Sequence, residues 1–173
     1  GSVQMCIRDR SYLIQQGHRK IAVLGGPATS HPSIMRRQGA QQAMEDAGIR
    51  FEDKLYGLSN YDFESAYHAM NGLLARRAEF TALFAMSDVI AFGAIRALVS
   101  AGLRVPEDVS VIGFDGITMS RYCVPVMTTI VQPSEQIALQ SIELLVRQIE
   151  HGTPAQTVTL QPELQQGESV RAI

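Results

Sequence analysis

The chain has 173 residues, of which 46% are hydrophobic and 18% are charged. These proportions exclude a disordered chain, and the length suits one soluble globular domain with a core of its own. The formal net charge of −2 argues against this chain holding nucleic acid by itself, because phosphate binding needs a basic surface. No apolar run is long enough to span a bilayer, so we expect no membrane partner.

The sequence contains no motif of a metal centre, a cofactor site or an enzyme. The two cysteines, Cys6 and Cys123, lie far apart and predict free thiols in a reducing cytoplasm. Histidines and carboxylates do not cluster at metal-ligand spacing, and GxGxxG, P-loop and GxSxG motifs are missing. We therefore expect no metal, no cofactor and no catalysis, although the fold class alone would not exclude an enzyme.

The first ten residues differ from the rest of the chain. Gly1-Ser2 resembles the remnant of a tag, and residues 4–10 resemble an artefact rather than native protein sequence. The alternative is an ordinary frayed N-terminus, and in either case the predicted fold begins after residue 10.

Strands and helices are predicted to alternate regularly from Lys20 onward. Short apolar runs predict strands at residues 20–24, 55–58, 81–85, 109–114 and 128–131. The clearest helix follows Asp62, where apolar residues recur at helical spacing. Single helices between strands predict right-handed parallel crossovers, so the expected fold is α/β, with a doubly wound parallel sheet.

The pattern changes after residue 131. Gln132-Pro133 is predicted to open a long helix with an apolar stripe that ends at Gly152. An extended stretch at residues 157–160 is then expected to lead into a polar tail.

Polar and aromatic side chains follow four of the predicted strands. Arg36 follows the first strand, Tyr61 the second, Ser87 and Asp88 the third, and Asp115 the fourth. Ligands of open parallel sheets bind at the carboxyl ends of the strands. Carboxylate and guanidinium groups hydrogen-bond hydroxyls in fixed directions, and an aromatic ring covers the apolar face of a sugar. These residues therefore predict a polyol or sugar site.

Each candidate also has a purely structural interpretation. Asp62 stands where one helix begins, and Ser87 or Asp88 stands where the next begins, so these residues could be N-caps. Arg36 could be a solvated surface charge, and Tyr61 could be a core aromatic with its hydroxyl group in water. Asp115 could belong to a turn-forming Asp-Gly pair.

Five blocks in order resemble the lactose-repressor (LacI/GalR) family of transcription regulators. They are YLIQQGHRKIA at residues 12–22, RRQGAQQAM at 36–44, SDVIAFGA at 87–94, VPEDVSVIGFD at 105–115 and PVMTTIVQP at 125–133. The resemblance implies a periplasmic-binding-protein-like (type I) sensor of two lobes, preceded by a helix-turn-helix domain that binds operator DNA. Residues 11–131 would form the second lobe, 132–161 would return to the first lobe, and 162–173 would be a C-terminal strand and tail.

The resemblance also implies roles for particular residues. The family's ligand-contacting arginine falls on Arg36, its stacking aromatic on Tyr61, its polar position before the aspartate on Ser87, and its strand-end aspartate on Asp115. Asp88 is then a capping and packing residue. The homodimer surface would comprise the helix that follows Asp88 and residues 122–125.

The predicted function is the effector-binding and dimerisation part of a cytoplasmic LacI/GalR-type repressor. Its effector would be a sugar or a nucleoside-like molecule, and operator DNA would be contacted only through an N-terminal domain outside this chain. A periplasmic sugar-binding protein of an uptake system is the alternative, because it shares the fold. Since the first lobe is outside the chain, the stripe after residue 132 is expected to be exposed and to make the chain self-associate.

Overall fold

The computed structural model describes residues 12–151 and 162–173 of the chain. After a helical turn at residues 12–15, the elements are β1 (Ile21–Gly25), α1 (His31–Asp46), a 3-10 turn (Asp53–Leu55), β2 (Tyr56–Leu58), α2 (Phe63–Ala75), β3 (Ala82–Ala85), α3 (Asp88–Ser100), β4 (Ser110–Asp115), a second 3-10 turn (Thr118–Arg121), β5 (Thr128–Val131), α4 (Ser134–His151) and β6 (Glu163–Gln165). Residues 1–10, Cys6 and the predicted extended stretch at 157–160 lie outside the described residues.

The strands form one six-stranded sheet in the order β2-β1-β3-β4-β5-β6. Strands β1 to β5 run parallel, and β6 pairs antiparallel with β5. The crossover from β1 to β2 runs one way along the sheet, and those from β2 to β3 and from β3 to β4 run the other way. Because such crossovers are right-handed, α1 covers one face of the sheet while α2 and α3 cover the other. The prediction of an α/β fold with a doubly wound, mostly parallel sheet is confirmed.

The central strands are buried on both faces, which explains why their sequences are apolar without alternation. All residues of β1 and β3 are buried, as are the first five of β4. Their largest side chains, Phe84 and Phe114, are at most 1% exposed. The side chains of these strands form the core, so polar functional groups are expected in the loops at the strand ends.

Two of the helices begin at side-chain caps. Asp62 accepts a hydrogen bond from the Ser65 backbone N–H at 2.7 Å and caps α2, as predicted. At α3 the cap is Ser87, whose Oγ accepts from the Ile90 N–H at 3.2 Å. The cap interpretation of Asp88 was therefore wrong for its own helix, and its carboxylate is used elsewhere.

The C-terminal residues pack closely against the sheet instead of trailing from it. Ser169 is buried, donates its hydroxyl to the Val111 carbonyl at 2.6 Å and accepts from the Thr128 N–H at 2.8 Å. The Arg171 carbonyl lies 3.0 Å from Nε2 of the buried His18. Residues 162–173 therefore form hydrogen bonds both with the central strands of the sheet and with His18 near the start of the described chain.

The long helix α4 exposes a row of large apolar side chains, which we call the α4 stripe. Its members are Leu139, Ile142, Leu145, Val146 and Ile149. Their exposed fractions run from 44% for Val146 to 76% for Ile149, so the apolar face predicted for this helix is uncovered. No helix among the described residues combines the length and hydropathy needed to cross a membrane.

Candidate functional site

The candidate site lies where the strand order reverses. The chain leaves β1 toward β2 on one side, and β3 lies on the other side of β1, so the loops after β1 and β3 separate and leave a crevice between them. Leu24 of β1 is level with Ala85 of β3, and Asp115 of β4 is level with Val131 of β5. The carboxyl ends of these strands therefore share one edge of the sheet.

Arg36 reaches this edge from the second turn of α1. Its guanidinium lies 4.1 Å above the centre of the Phe114 ring, a cation–π contact. One guanidinium nitrogen donates to the carbonyl of Met86, and another lies 3.5 Å from Oδ1 of Asp115. The side chain is only 13% exposed, so the interpretation as a solvated surface charge was wrong.

Asp115 ends β4 with a backbone that non-glycine residues rarely adopt. Its φ is +117°, and Gly116 follows at +74°; we call this pair with positive φ the Asp115–Gly116 turn. Its carboxylate contacts Arg36 and accepts a hydrogen bond of 2.9 Å from Nε2 of Gln132. The residue is therefore both a turn residue and the partner of the site's arginine.

Burial sets the protonation of this carboxyl. Burial, together with the negative charge of the nearby Asp88 carboxylate, raises the pKa of Asp115 to about 6 against the opposing charge of Arg36. The side chain is still 34% exposed. The carboxyl can thus accept hydrogen bonds at neutral pH and also donate one in mildly acidic solution.

Ser87 follows β3 and is almost completely buried. Because its oxygen caps α3, one acceptor position is occupied, while a hydroxyl group still has its hydrogen to donate. The carbonyl of the preceding residue, Met86, accepts from Arg36. The loop after β3 therefore meets α1 in this crevice.

Tyr61 lies beside Gly26, the first residue after β1. A Cβ at Gly26 would overlap the tyrosine ring, so glycine is required there for the ring to pack against the backbone. Tyr61 has a φ of +60°, and its hydroxyl is buried with no hydrogen-bond partner among the described residues. The interpretation of a hydroxyl in water was wrong, while the ring does pack against the core.

Sequence reasoning missed two contributors to the site. Phe114 supplies the ring under Arg36, and Gln132 supplies the amide that bonds Asp115. Phe114 was interpreted only as an apolar strand residue and Gln132 only as a helix start. Phe114 stands next to Asp115, and Gln132 directly follows β5. These positions could have indicated both residues, since residues at the ends of neighbouring parallel strands meet at one edge of the sheet.

An apolar groove lies on a different surface, and we call it the α3 groove. It has a volume of about 470 Å³ and is lined by Phe63, Phe92, Ile95, Arg96, Val99, Met119, Cys123 and Val124. Val124 is 94% exposed. Cys123 is a free, half-buried thiol whose pKa is raised by burial. Across the described ranges, no group of three His, Cys, Asp or Glu side chains could hold a metal ion.

These features define a doubly wound α/β domain with a crevice at the carboxyl ends of its strands, and comparison with known proteins identifies its family. A family model described as a periplasmic binding protein-like domain matches residues 11–170. The HTH-type transcriptional repressor PurR of Histophilus somni (strain 129Pt) is 37% identical over 163 residues, which cover 94% of this chain and 49% of that protein. The chain therefore spans about half the length of this curated relative.

Solved structures of similar chains match over nearly the whole length. The Escherichia coli transcriptional repressor ascG superposes with a TM-score of 0.94 at 33% identity, covering 99% of this chain and 62% of that one. A complex of the transcriptional regulator CelR with cellobiose gives 0.89 at 33% identity, covering 97% and 52%. The chain belongs to the periplasmic binding protein-like domain family, and the relatives it resembles are transcriptional regulators of the LacI/GalR type.

Proposed function

We propose that this chain forms one wall of the effector pocket of a LacI/GalR-type transcriptional repressor. The observation that carries the proposal is the Arg36–Asp115 pair at the topological switch point, with Phe114 stacked beneath the arginine. Ser87 and Tyr61 border the same strand ends and complete the proposed contact set. The family relationship supports this role, and the relatives named above are regulators, so we propose no catalytic activity and no cofactor for the chain.

The effector is proposed to be an uncharged polyol, either a sugar or a nucleoside-like molecule. The positive charge of Arg36 is balanced within the site by Asp115, so the pair offers directional hydrogen bonds rather than net attraction for an ion. Tyr61 provides an aromatic face for the apolar side of a ring. A regulator of similar structure was solved with cellobiose, which fits this chemistry.

Regulation is proposed to work through a shift between lobe arrangements. Residues 11–131 would form the second lobe, 132–161 would cross to a first lobe outside this chain, and 162–173 would return as strand and tail. The α4 stripe is then the surface that the first lobe covers. An effector that binds one arrangement more tightly changes its population, and with it the affinity for operator DNA.

DNA contact is proposed to occur only through a helix-turn-helix segment outside this chain. The net charge of −2 gives the chain no overall attraction for phosphates. A protein with this role acts on DNA in the cytoplasm. A periplasmic sugar-binding protein is the second candidate on fold alone, but the relatives over 92–94% of the chain are described as transcriptional repressors.

The α3 groove is proposed as the homodimer surface. Phe63, Val99, Met119 and Val124 are large apolar side chains that remain at least 48% exposed. A contiguous apolar surface rimmed by polar residues is typical of a protein–protein interface. Two copies related by a twofold axis would place the same groove of each copy at the contact.

The site can be tested by titrating the chain with neutral ligands. We expect millimolar cellobiose, ribose or inosine to shift amide signals of Tyr61, Ser87 and Gly116 in ¹⁵N NMR spectra of the chain. Arg36→Lys removes the planar donor set and the stack on Phe114. The same shifts should then require at least a tenfold higher ligand concentration. The matched control is Arg37→Lys, because Arg37 lies over Tyr56 and pairs with Asp53 instead. Shifts that survive Arg36→Lys would contradict the proposal, as would no response to any of the three ligands.

A further inference from the structure

Asp88 is the most deeply buried carboxylate described in this protein, and its bonds leave its own helix. It is 0% exposed at the first residue of α3. One oxygen, Oδ2, accepts hydrogen bonds of 2.8 Å from the backbone N–H groups of both Gly116 and Ile117. The other, Oδ1, accepts a short hydrogen bond from the Thr129 hydroxyl. The carboxylate therefore joins the start of α3 to the loop after β4 and to β5.

The sheet makes room for this carboxylate at one position. Gly113 of β4 and Thr129 of β5 are paired in register. A Cβ at Gly113 would overlap Oδ1 of Asp88, so only glycine lets the side chain lie over this pair of strands. Three hydrogen bonds and a dedicated space are more than a packing role requires, because an apolar side chain would fill the same volume without the cost of burying a charge.

The turn to which Asp88 is hydrogen-bonded is the one that orients the Asp115 side chain. Asp115 has a φ of +117° and Gly116 a φ of +74°, and a non-glycine residue with such a φ is unfavourable without support from its surroundings. The two N–H groups bonded by Asp88 are the first two after Asp115. They fix the orientation of the peptide that follows it, while the Gln132 N–H donates to the Asp115 carbonyl at 3.2 Å.

We propose that Asp88 is the positioning residue of the effector site: it holds the Asp115–Gly116 turn so that the Asp115 carboxylate meets Arg36 and Gln132. The assignment of an effector site rests on the function proposed above, but the hold on the turn does not. Asp88 touches no effector in this arrangement. It acts through the loop after β4, and through Thr129 it ties that loop to the strand that leads into Gln132.

Three groups face Asp115 and determine its charge. They are Arg36 from α1, Asp88 from α3 and the uncharged amide of Gln132 after β5. Burial is the main cause of the raised pKa of Asp115, Arg36 opposes it, and the negative charge of Asp88 adds to it. Burial likewise raises the pKa of Asp88, against its three hydrogen bonds. A neutral residue in place of Asp88 therefore changes the titration of Asp115 as well as the turn.

The test uses Asp88→Asn in the unliganded 173-residue chain, with Asp108→Asn as the matched control. Asparagine has the same shape and can accept the two N–H bonds, but it lacks the charge that strengthens them. We expect the Gly116 and Ile117 amide protons to exchange about tenfold faster, the equivalent of one net hydrogen bond. We also expect the Asp115 carboxyl, followed by ¹³C NMR, to titrate below the wild-type midpoint of about 6.

The control loses an equal charge at a remote place. Asp108 bonds Arg104 in the loop that precedes β4, at the opposite end of the strand from Asp115, so its loss lowers stability without touching the turn. Asp108→Asn should leave both readouts at their wild-type values. If Asp88→Asn folds and leaves amide exchange and the Asp115 titration unchanged, Asp88 is only a packing residue and the proposal is overturned.

A measurement on the wild-type chain covers the case in which Asp88→Asn fails to fold. Hydrogen bonds from the Gly116 and Ile117 amides to the Asp88 carboxylate should give through-bond scalar couplings between each amide ¹⁵N and the carboxyl ¹³C. Their presence supports the hold on the turn, and their absence overturns it. Both measurements use unliganded protein, so a failure to find an effector leaves their outcome intact.

Discussion

Arg36 and Arg37 are neighbours in α1 but meet different surroundings. Arg36 points toward the strand ends and lies over Phe114, while Arg37 lies 4.5 Å above the Tyr56 ring and remains 43% exposed. Successive residues of a helix are about 100° apart, so only one of the two can face the crevice. Family resemblance selected Arg36, whereas position in the sequence alone could not choose between them.

His18 predicts a pH dependence of stability at the residue scale. It is buried between Thr81, 2.8 Å from Nδ1, and the Arg171 carbonyl. Burial, together with the positive charge of Arg171, lowers the pKa of His18 below its usual 6.5, against the effect of the Arg171 carbonyl. The unfolded chain therefore binds a proton as the pH falls below about 6.5 while the folded chain does not, so stability falls in that window.

The measurement compares urea unfolding of wild type and His18→Gln between pH 7.5 and pH 5. The raised pKa of Asp115 has the opposite sign, because the folded chain then binds more protons and gains stability as the pH falls through about 6. The difference between the two proteins removes this shared contribution. We expect wild type to lose stability relative to His18→Gln as the pH falls, and a constant difference would refute the role of His18.

At the scale of elements, the contact between α2 and α3 depends on Gly93. A Cβ at this position of α3 would lie 2.8 Å from Cβ of Ala66 and 3.0 Å from the Tyr67 nitrogen, and would also overlap the Phe63 carbonyl. The neighbours are backbone atoms and a methyl group, which cannot rotate away. The two helices are therefore as close as their backbones allow. This contact fixes the position of α3 relative to the site.

Gly93→Ala should lower the free energy of unfolding by about 1–3 kcal/mol because it overpacks this contact. For a chain of this length the corresponding fall in Tm is roughly 2–12 °C. Gly72→Ala is the matched control, since Gly72 is exposed in α2 and an added Cβ meets nothing within 4 Å. There alanine should stabilise the helix by up to about 1 kcal/mol. Equal effects of the two substitutions in thermal unfolding would contradict the packing argument.

At the scale of the whole molecule, the chain leaves two apolar surfaces uncovered. The α4 stripe belongs to the segment proposed to cross to another lobe, and the α3 groove is the proposed dimer surface. Burying one large apolar side chain contributes about 1.5–3 kcal/mol, and each surface exposes at least four of them, so both surfaces favour association. Because the two surfaces share no residues, separate substitutions can show which surface the association uses.

We expect the 173-residue chain to self-associate in sedimentation velocity experiments at micromolar concentration. Ile142→Glu in the α4 stripe should reduce the larger species to a dimer, and the further change Val124→Glu in the α3 groove should yield a monomer. Both residues are at least 60% exposed, so neither substitution should unfold the chain. Gln41→Glu, at an exposed position of α1, is the control for the added negative charge. A wild-type chain that sediments as a single monomer would count against both surfaces.

Local sequence patterns were sufficient to predict β1 to β5 and the helices between them, but not β6. The unalternating strands, the single helices between them and the Asp62 cap are properties of a few consecutive residues, and the structure confirms them. Two local assignments failed for one reason. Asp88 as a cap and Arg36 as a solvated charge were judged from sequence neighbours, whereas their partners are 28 or more residues away.

The sequence by itself determined the fold class, the family and the candidates Arg36, Ser87 and Asp115 at the strand ends, because hydrophobic periodicity and ordered motifs can be read along the chain. Only the tertiary structure decided how those residues meet: that Arg36 rests on Phe114, that Gln132 bonds Asp115, and that Asp88 holds the turn between them. The physical reason is that burial and hydrogen-bond partners depend on which strands become neighbours. Segments far apart in sequence meet at one sheet edge, and no local pattern records which side chain of each will reach the other.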